Sequence, residues 1–291
     1  MHFIIESGFF SSQPVRVALT IGGIVAVVSA AVGIFTVMRG QSFAGHTLTD
    51  VSTAGGSAAF LLGMNPLLGF IGLSVVGSAT MDLIGVQRAR GRDLATGIVL
   101  GASIGLAALF LYLDSTTKAT TGATQQILFG SIFTLDPGEV PIVCAFSAIS
   151  LVVVAVIYRP LLLATMSPDI AAARGVRIRV VGLAFMLTLA VAVGLSSLAI
   201  GSILSTALLI GPAAAALRLT KRIGTALITA MAIGVAATWI GVLLAYDSYD
   251  WGSSHNGYPV SFFIVAVTFL IYLGSGLRGR RAGTAAPTKK R

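Results

Sequence analysis

The chain has 291 residues, 56% of them hydrophobic and only 10% charged, with a mean hydropathy of +0.95. A soluble domain of this size carries about 25% charged residues, so a soluble globular class is excluded and an all-α, polytopic membrane protein is expected. The net charge of +9 does not point to nucleic acid, because the basic residues fall in short clusters between apolar runs.

Nine apolar segments are predicted as transmembrane helices, eight to nine being the expected range. The first, about 15–38, follows an N-terminal segment (1–14) with no Lys or Arg before the apolar run. That run is too long for a signal h-region and lacks a charged n-region, so no cleaved signal peptide is expected.

The second segment, about 44–64, contains "GHTLTDVSTAGG". Positions 46, 50, 53 and 57 share one helical face, so His46, Asp50, Thr53 and Ser57 form a polar stripe. Asp50 is the only carboxylate well inside a span, and an ionisable residue there is a functional hypothesis by default. Imidazole and carboxylate together suit zinc, manganese or iron, and an i, i+4 pair aims both donors to one side. Two ligands are too few for tight binding, which suits a pathway that must release its ion. In a two-fold dimer with this face on the axis, the pair becomes two His and two Asp around one passage. A second reading is structural: His46 helps cap the helix start, and Asp50 bonds Thr49, Thr53 or a neighbouring helix.

The third segment, about 66–87, ends near Asp82 and leads into Arg88, Arg90 and Arg92. The fourth, about 94–113, holds "GASIG" at 101–105. This matches the G-x-S-x-G nucleophile elbow around Ser103, but in mid-segment the required strand-to-helix turn is missing. It also matches G-x-x-x-G, a close-packing motif of membrane helices, and packing is the favoured reading. The connection 114–139 includes the apolar "ILFGSIF", expected on or dipping into the membrane surface. The fifth segment, about 140–158, carries Cys144, the one cysteine, read as a small buried hydrophobe.

The loop 166–179, "MSPDIAAARGVRIR", has Ser167 as N-cap, Pro168 at the first helical position, Asp169 in the first turn and Gly175 after the last. Those start and stop signals predict a two-turn helix outside the membrane. Segments six and seven, about 179–200 and 202–219, are nearly continuous, so a tight hairpin or broken helix is needed. Segment seven contains Gly211–Pro212, and a proline inside a span kinks it. Segments eight and nine, about 224–245 and 259–276, flank "YDSYDWGSSHNGY", an interfacial composition. The tail 277–291 is basic and expected to be disordered.

All 19 basic residues but Arg16 and Lys118 fall on one side of this arrangement. The positive-inside rule makes that side, and with it the C-terminus, cytoplasmic. The chain has no Walker A sequence, so any ATP hydrolysis belongs to another chain.

"GHTLTDVSTAGGSAAFLLGMNPLLG" (45–69), "GRDLATGIVLGASIGLAAL" (91–109), "ILFGSIFTLDPGEV" (127–140), "MSPDIAAARGVRIR" (166–179) and "GSILSTALLIGPAAAALRLTKR" (201–222) occur in that order. Together they resemble the permease subunit of the bacterial metal-ion ABC importer family, over roughly 40–276. The resemblance implies a transport subunit rather than an enzyme, in a bacterial plasma membrane, with no permanently bound cofactor and a transported divalent ion (zinc or manganese, possibly iron). It implies a cytoplasmic ATPase dimer, an extracytoplasmic metal-binding protein, a permease homodimer with alternating access, and no nucleic acid. It assigns metal contact to His46 and Asp50, ATPase coupling to Ser167, Pro168, Asp169, Ala173, Arg174 and Gly175, and a kink or gate to Gly211 and Pro212; Thr53 and Ser57 would line the pathway. The family pattern places Asp first and His four residues later. Here the order is reversed, which exchanges the depths of the two donors by one turn, about 6 Å. The rival readings are an iron-chelate or cobalamin permease, an intramembrane serine protease using Ser103, and a secondary transporter using Asp50 as a proton carrier.

Overall fold

The computed structural model describes residues 9–10, 12–84, 92–117, 122–130, 132–251 and 257–283. Among them every regular element is helical: α1 (Gln13–Met38), α2 (Ser42–Leu62), α3 (Pro66–Ile84), α4 (Arg92–Thr117), α5 (Ala123–Phe129), α6 (Val140–Met166), α7 (Pro168–Ala173), α8 (Ile178–Ile200), α9 (Ser202–Leu219), α10 (Ile223–Asp247) and α11 (Val260–Gly283), with 3-10 turns at Pro137–Glu139 and Ser248–Asp250. By length and composition, stretches in seven of them can cross a membrane, those of α1, α3, α4, α6, α8, α9 and α10. The apolar part of α11, Val260–Gly276, is shorter. Despite its 21 residues α2 is not among the seven, because hydroxyls, His46 and Asp50 dilute its apolar side chains.

Shared core clusters fix the directions of the helices. Near its start, α1 places Val15 with Leu198 and Ile200 from the end of α8, Val242 from α10 and Ile264 from α11. Near its end, Phe35 meets Leu48 of α2 and Phe185 of α8, the two rings edge to face at 6.4 Å. Ala30 and Ile34 of α1 pack with Ala213 and Ala216 of α9 and with Ala226 and Ala230 of α10. So α8 and α10 run against α1, and α9 runs with it. The α8–α9 hairpin turns on Gly201 alone, at φ 90°. A side chain there would run into the backbone of Leu128 in the last turn of α5 and of Gly130 just beyond it.

α1 and α8 are the most buried of the seven and are tied by Ser29 Oγ and Ser196 Oγ, 2.6 Å apart. α4 and α6 are the least buried and present Ile98, Leu109, Val152 and Val156 outward, the apolar exterior a lipid-facing helix needs. At the end where α1 finishes, Arg39 lies over the Phe185 ring at 5.5 Å. At the opposite end Trp251 is half exposed and donates from Nε1 to Asp247 at 3.0 Å, the amphipathic habit of an interfacial aromatic.

Two boundaries differ from the sequence expectation, the ends of α6 and α11. α6 continues through Arg159 and Pro160 to Met166, because Leu161 and Ala164 beyond the proline are buried. The helix that opens "ILFGSIF", α5, packs on α2, α8 and α9, with Ile127 fully buried. α11 runs to Gly283, past the expected end at 276. Gly101 and Gly105 have open space where a Cβ would be, so the glycines of "GASIG" make no close helix contact within the chain. The expected segment 1–14 is described only from 9 onward, apart from 11; Arg88, Arg90 and 284–291 of the tail lie outside the described residues.

Candidate functional site

α2 is placed by its glycines. A Cβ on Gly55 would strike the carbonyl of Gly69 in α3, and one on Gly69 would strike the carbonyl of Gly55. Only glycine at both positions lets the two backbones meet, the small-residue logic of membrane helix pairs. Ser52 Oγ then reaches across to the carbonyl of Phe70 at 3.0 Å. On its other flank α2 meets α9. The result is a polar helix held inside the bundle with one side left partly open.

That open side carries His46 and Asp50. His46 Nε2 and Asp50 Oδ2 are 3.8 Å apart, with side-chain exposures of 46% and 21%. The separation is too long for a hydrogen bond. It suits two ligands of one ion, since a cation about 2.1 Å from each donor bridges atoms up to about 4.2 Å apart. Asp50 Oδ2 is buried and has no hydrogen-bond partner, an unusual and costly condition for a carboxylate oxygen. His46 Nδ1 lies 3.2 Å from Thr206 Oγ1 on α9. Among the described residues no group of three or more His, Cys, Asp or Glu gathers in a metal-binding arrangement, so one chain offers only these two such donors here.

The structural reading of the pair finds little support in these contacts. The N-cap position of α2 is Gln41, not His46. The hydroxyls of Thr49 and Thr53 donate to the carbonyls of Gly45 and Thr49, at 3.2 and 2.8 Å. Thr53 and Ser57 are buried, and Ser57 donates to the carbonyl of Thr53 at 2.8 Å. The stripe therefore divides into an open pair, His46 and Asp50, and a closed pair whose hydroxyls turn back on their own helix.

Around the pair the structure adds residues that sequence reasoning passed over. Thr206 contacts His46, lies 3.4 Å from Thr49 Oγ1, and sits beside Ser205, whose Oγ is also 3.4 Å from Thr49. The signal was present as two adjacent hydroxyl residues in the apolar run "GSILSTALLIGP". Thr206 and Gly211 together line a 340 Å³ groove between α9 and α11 that ends at Tyr272. There Arg218 stacks over the Tyr272 ring at 3.9 Å and hydrogen-bonds its hydroxyl. Pro212 is buried within α9, which stays helical through it.

The expected helix after Ser167 is α7. Ser167 occupies the N-cap position, but its side chain makes no capping bond; its carbonyl accepts from Ala171 N at 3.0 Å. The stop is as expected: Gly175 N donates to Ala172 and Val176 N to Ala171, the paired bonds of a Schellman ending. Only Ala171 of α7 is buried, while Met166 and Ile170 are 70% and 51% exposed. α7 is thus a small projecting knob, and the structure does not bring it near His46 and Asp50 in sequence or in packing. Ser103 Oγ donates to the carbonyl of Val99 in its own helix at 2.7 Å, so the hydroxyl of "GASIG" is not poised as a nucleophile.

The model of the ABC 3 transport family matches residues 11–276. The chain belongs to the ABC 3 transport family. One relative is the manganese import system permease protein ScaB of Streptococcus gordonii, 28% identical over 254 residues, 87% of this chain and 90% of that one. The high-affinity zinc uptake system membrane protein ZnuB of Haemophilus influenzae is 24% identical over 204 residues, 70% and 77% of the two chains. Among solved structures, the fold superposes on a chain of PsaBC from Streptococcus pneumoniae in complex with Fab, with a TM-score of 0.79 and 23% identity over 92% and 93% of the two chains. This ABC 3 family chain is a multi-pass membrane transport component, not an enzyme, which bears out the resemblance read from the five blocks.

Proposed function

We propose that the chain is the permease of an ATP-driven importer of manganese or zinc, with iron the third candidate, and that His46 and Asp50 form its transient site for the ion. The observation that carries this reading is the facing of His46 Nε2 and Asp50 Oδ2 at 3.8 Å, one oxygen buried without a partner. Nitrogen and carboxylate oxygen suit all three ions, and the relatives' manganese and zinc names favour the first two. Two donors per chain hold an ion weakly enough to pass it on.

Two copies, facing each other across the open side of α2, supply four donors around one passage. An ATPase dimer grips α7 and its flanks through Ser167, Pro168, Asp169, Ala173, Arg174 and Gly175, and drives alternating access. α9, weakened at Gly211–Pro212, is the helix that bends as the pathway opens. Thr53 and Ser57 continue the stripe away from the site. An extracytoplasmic binding protein delivers the ion to the end carrying Trp251. The helices cross the bacterial plasma membrane nine times, with the arginine-rich end and the C-terminus cytoplasmic. The reversed order of His46 and Asp50 keeps both donors on one face.

Complementation tests this reading. A strain deleted for its own metal permease, supplied with the cognate transporter, regains manganese or zinc uptake with the wild-type chain. His46→Ala and Asp50→Ala at normal expression are expected to lose it; normal uptake with both overturns the site. Ser103→Ala is expected to keep full uptake, and the protease reading has no geometric support.

A further inference from the structure

Thr206 lies on a different helix from the ion-binding pair, yet it touches His46 directly. The protons of the surrounding hydroxyls determine what that contact is. A threonine hydroxyl has one proton to donate and can accept through its oxygen. Thr49 Oγ1 lies 3.2 Å from the carbonyl of Gly45, which can only accept, so the Thr49 proton is committed there. At the 3.4 Å contact between Thr49 and Thr206, Thr206 is then the one able to donate. Ser205 Oγ, the other neighbour of Thr49, can place its proton on the carbonyl of Ser202 at 3.2 Å, so it does not reverse this order. In the arrangement where Thr206 gives its proton to Thr49, its Oγ1 accepts from His46 at 3.2 Å. Nδ1 of His46 then carries the ring proton, and in the neutral imidazole Nε2 is left bare.

That bare nitrogen faces Asp50 Oδ2 across 3.8 Å. Two lone-pair atoms with no proton between them repel each other and are reconciled by a cation. Metal-binding histidines are commonly oriented in this way, by a partner that accepts from the other ring nitrogen. We propose that Thr206 is the positioning residue of the ion site: the chain Gly45 carbonyl, Thr49, Thr206, His46 fixes the tautomer that presents Nε2 to the ion. The proposal rests on the reading of His46 and Asp50 as ion ligands. Since Thr206 sits on α9, six positions before Pro212, the same bond ties the state of the ligand to the position of the helix that bends. Movement of α9 away from α2 removes the acceptor from Nδ1 and frees the ring to turn, which gives the pathway a built-in way to loosen its hold.

The test uses the full transporter, permease with its ATPase, in proteoliposomes, with Mn²⁺ as the probe. Thr206→Val keeps the shape and removes the acceptor; Thr206→Ser keeps the acceptor and removes a methyl. Two quantities are measured: KM for Mn²⁺ in ATP-driven uptake, and the ¹⁵N signals of ring-labelled histidine without metal, with the His46 signals assigned by their loss in His46→Ala. Thr206→Val is expected to raise KM about 10-fold, the lower range for losing an outer-shell partner of a metal ligand. It should also convert a single Nδ1-protonated form into a mixture of tautomers. Thr206→Ser should restore both to near wild type. A Thr206→Val protein with wild-type KM, or with an unchanged His46 spectrum, overturns the proposal. If His46→Ala itself transports normally, the ion-site reading fails instead, and the spectrum still reports whether Thr206 sets the ring tautomer.

Discussion

α2 and α4 pack against each other, and they make opposite use of their polar residues. α2 is buried through most of its length, yet it keeps a histidine and an aspartate on its open side, one carboxylate oxygen without a partner. α4 is exposed through most of its length, and the hydroxyls of its Ser103 and Ser115 are bonded to its own backbone. Both helices carry glycine pairs, and these differ in the same way. Gly55 meets the backbone of α3, while Gly101 and Gly105 meet nothing within the chain. A motif acquires a role when a neighbouring element holds it in place and leaves a group unsatisfied. "GHTLTD" meets both conditions and "GASIG" meets neither.

The largest effect that would break this contrast is at the donors. His46→Asp alone and Asp50→His alone are each expected to lower manganese uptake by roughly 100-fold or more, beyond the 10–100-fold cost of disturbing an outer-shell partner. The double exchange, His46→Asp with Asp50→His, restores one donor of each kind on the same face. Uptake within about 10-fold of wild type is expected from it, read as initial rates in the deletion strain. If the double exchange is as dead as the singles, the depth of each donor matters more than the pair.

Next come the glycines. Gly55→Val places a side chain against the carbonyl of Gly69 and should cost about 1–3 kcal/mol, the range for overpacking. Thermal unfolding of the purified transporter measures it. Gly101→Ala, with open space at its Cβ, should leave the unfolding temperature nearly unchanged; an equal loss at both positions would place another chain against α4. The smallest effect belongs to Ser103→Ala, expected within about 0.5 kcal/mol of wild type and with unaltered uptake.

Much of this was legible in the sequence because the bilayer imposes a simple rule. Every backbone polar group must be paired within a helix, so apolar runs between charged loops locate the helices. His46 and Asp50 stood out against that background, and their i, i+4 spacing placed them on one face. The start and stop of α7 were legible from Pro168 and Gly175. What the sequence did not reveal depends on contacts between distant segments. Burial of Leu161 and Ala164 carries α6 past Pro160, and nothing local announces it. α5 reads as a surface-seeking apolar stretch until Gly130 and Gly201 bring it against the α8–α9 hairpin. Thr206 is 160 residues from His46 in the chain, and only the packing of α9 on α2 makes it a partner. The G-x-x-x-G of α4 meets no helix within the chain, because spacing says which residues share a face, not what that face meets.

The most direct test of the central claim is ATP-driven Mn²⁺ uptake by proteoliposomes holding the complete transporter, compared for the wild type, His46→Ala, Asp50→Ala and Ser103→Ala. The account predicts that Ser103→Ala transports like the wild type, while His46→Ala and Asp50→Ala lose transport although the complex still assembles and hydrolyses ATP. Wild-type uptake by both His46→Ala and Asp50→Ala would contradict it.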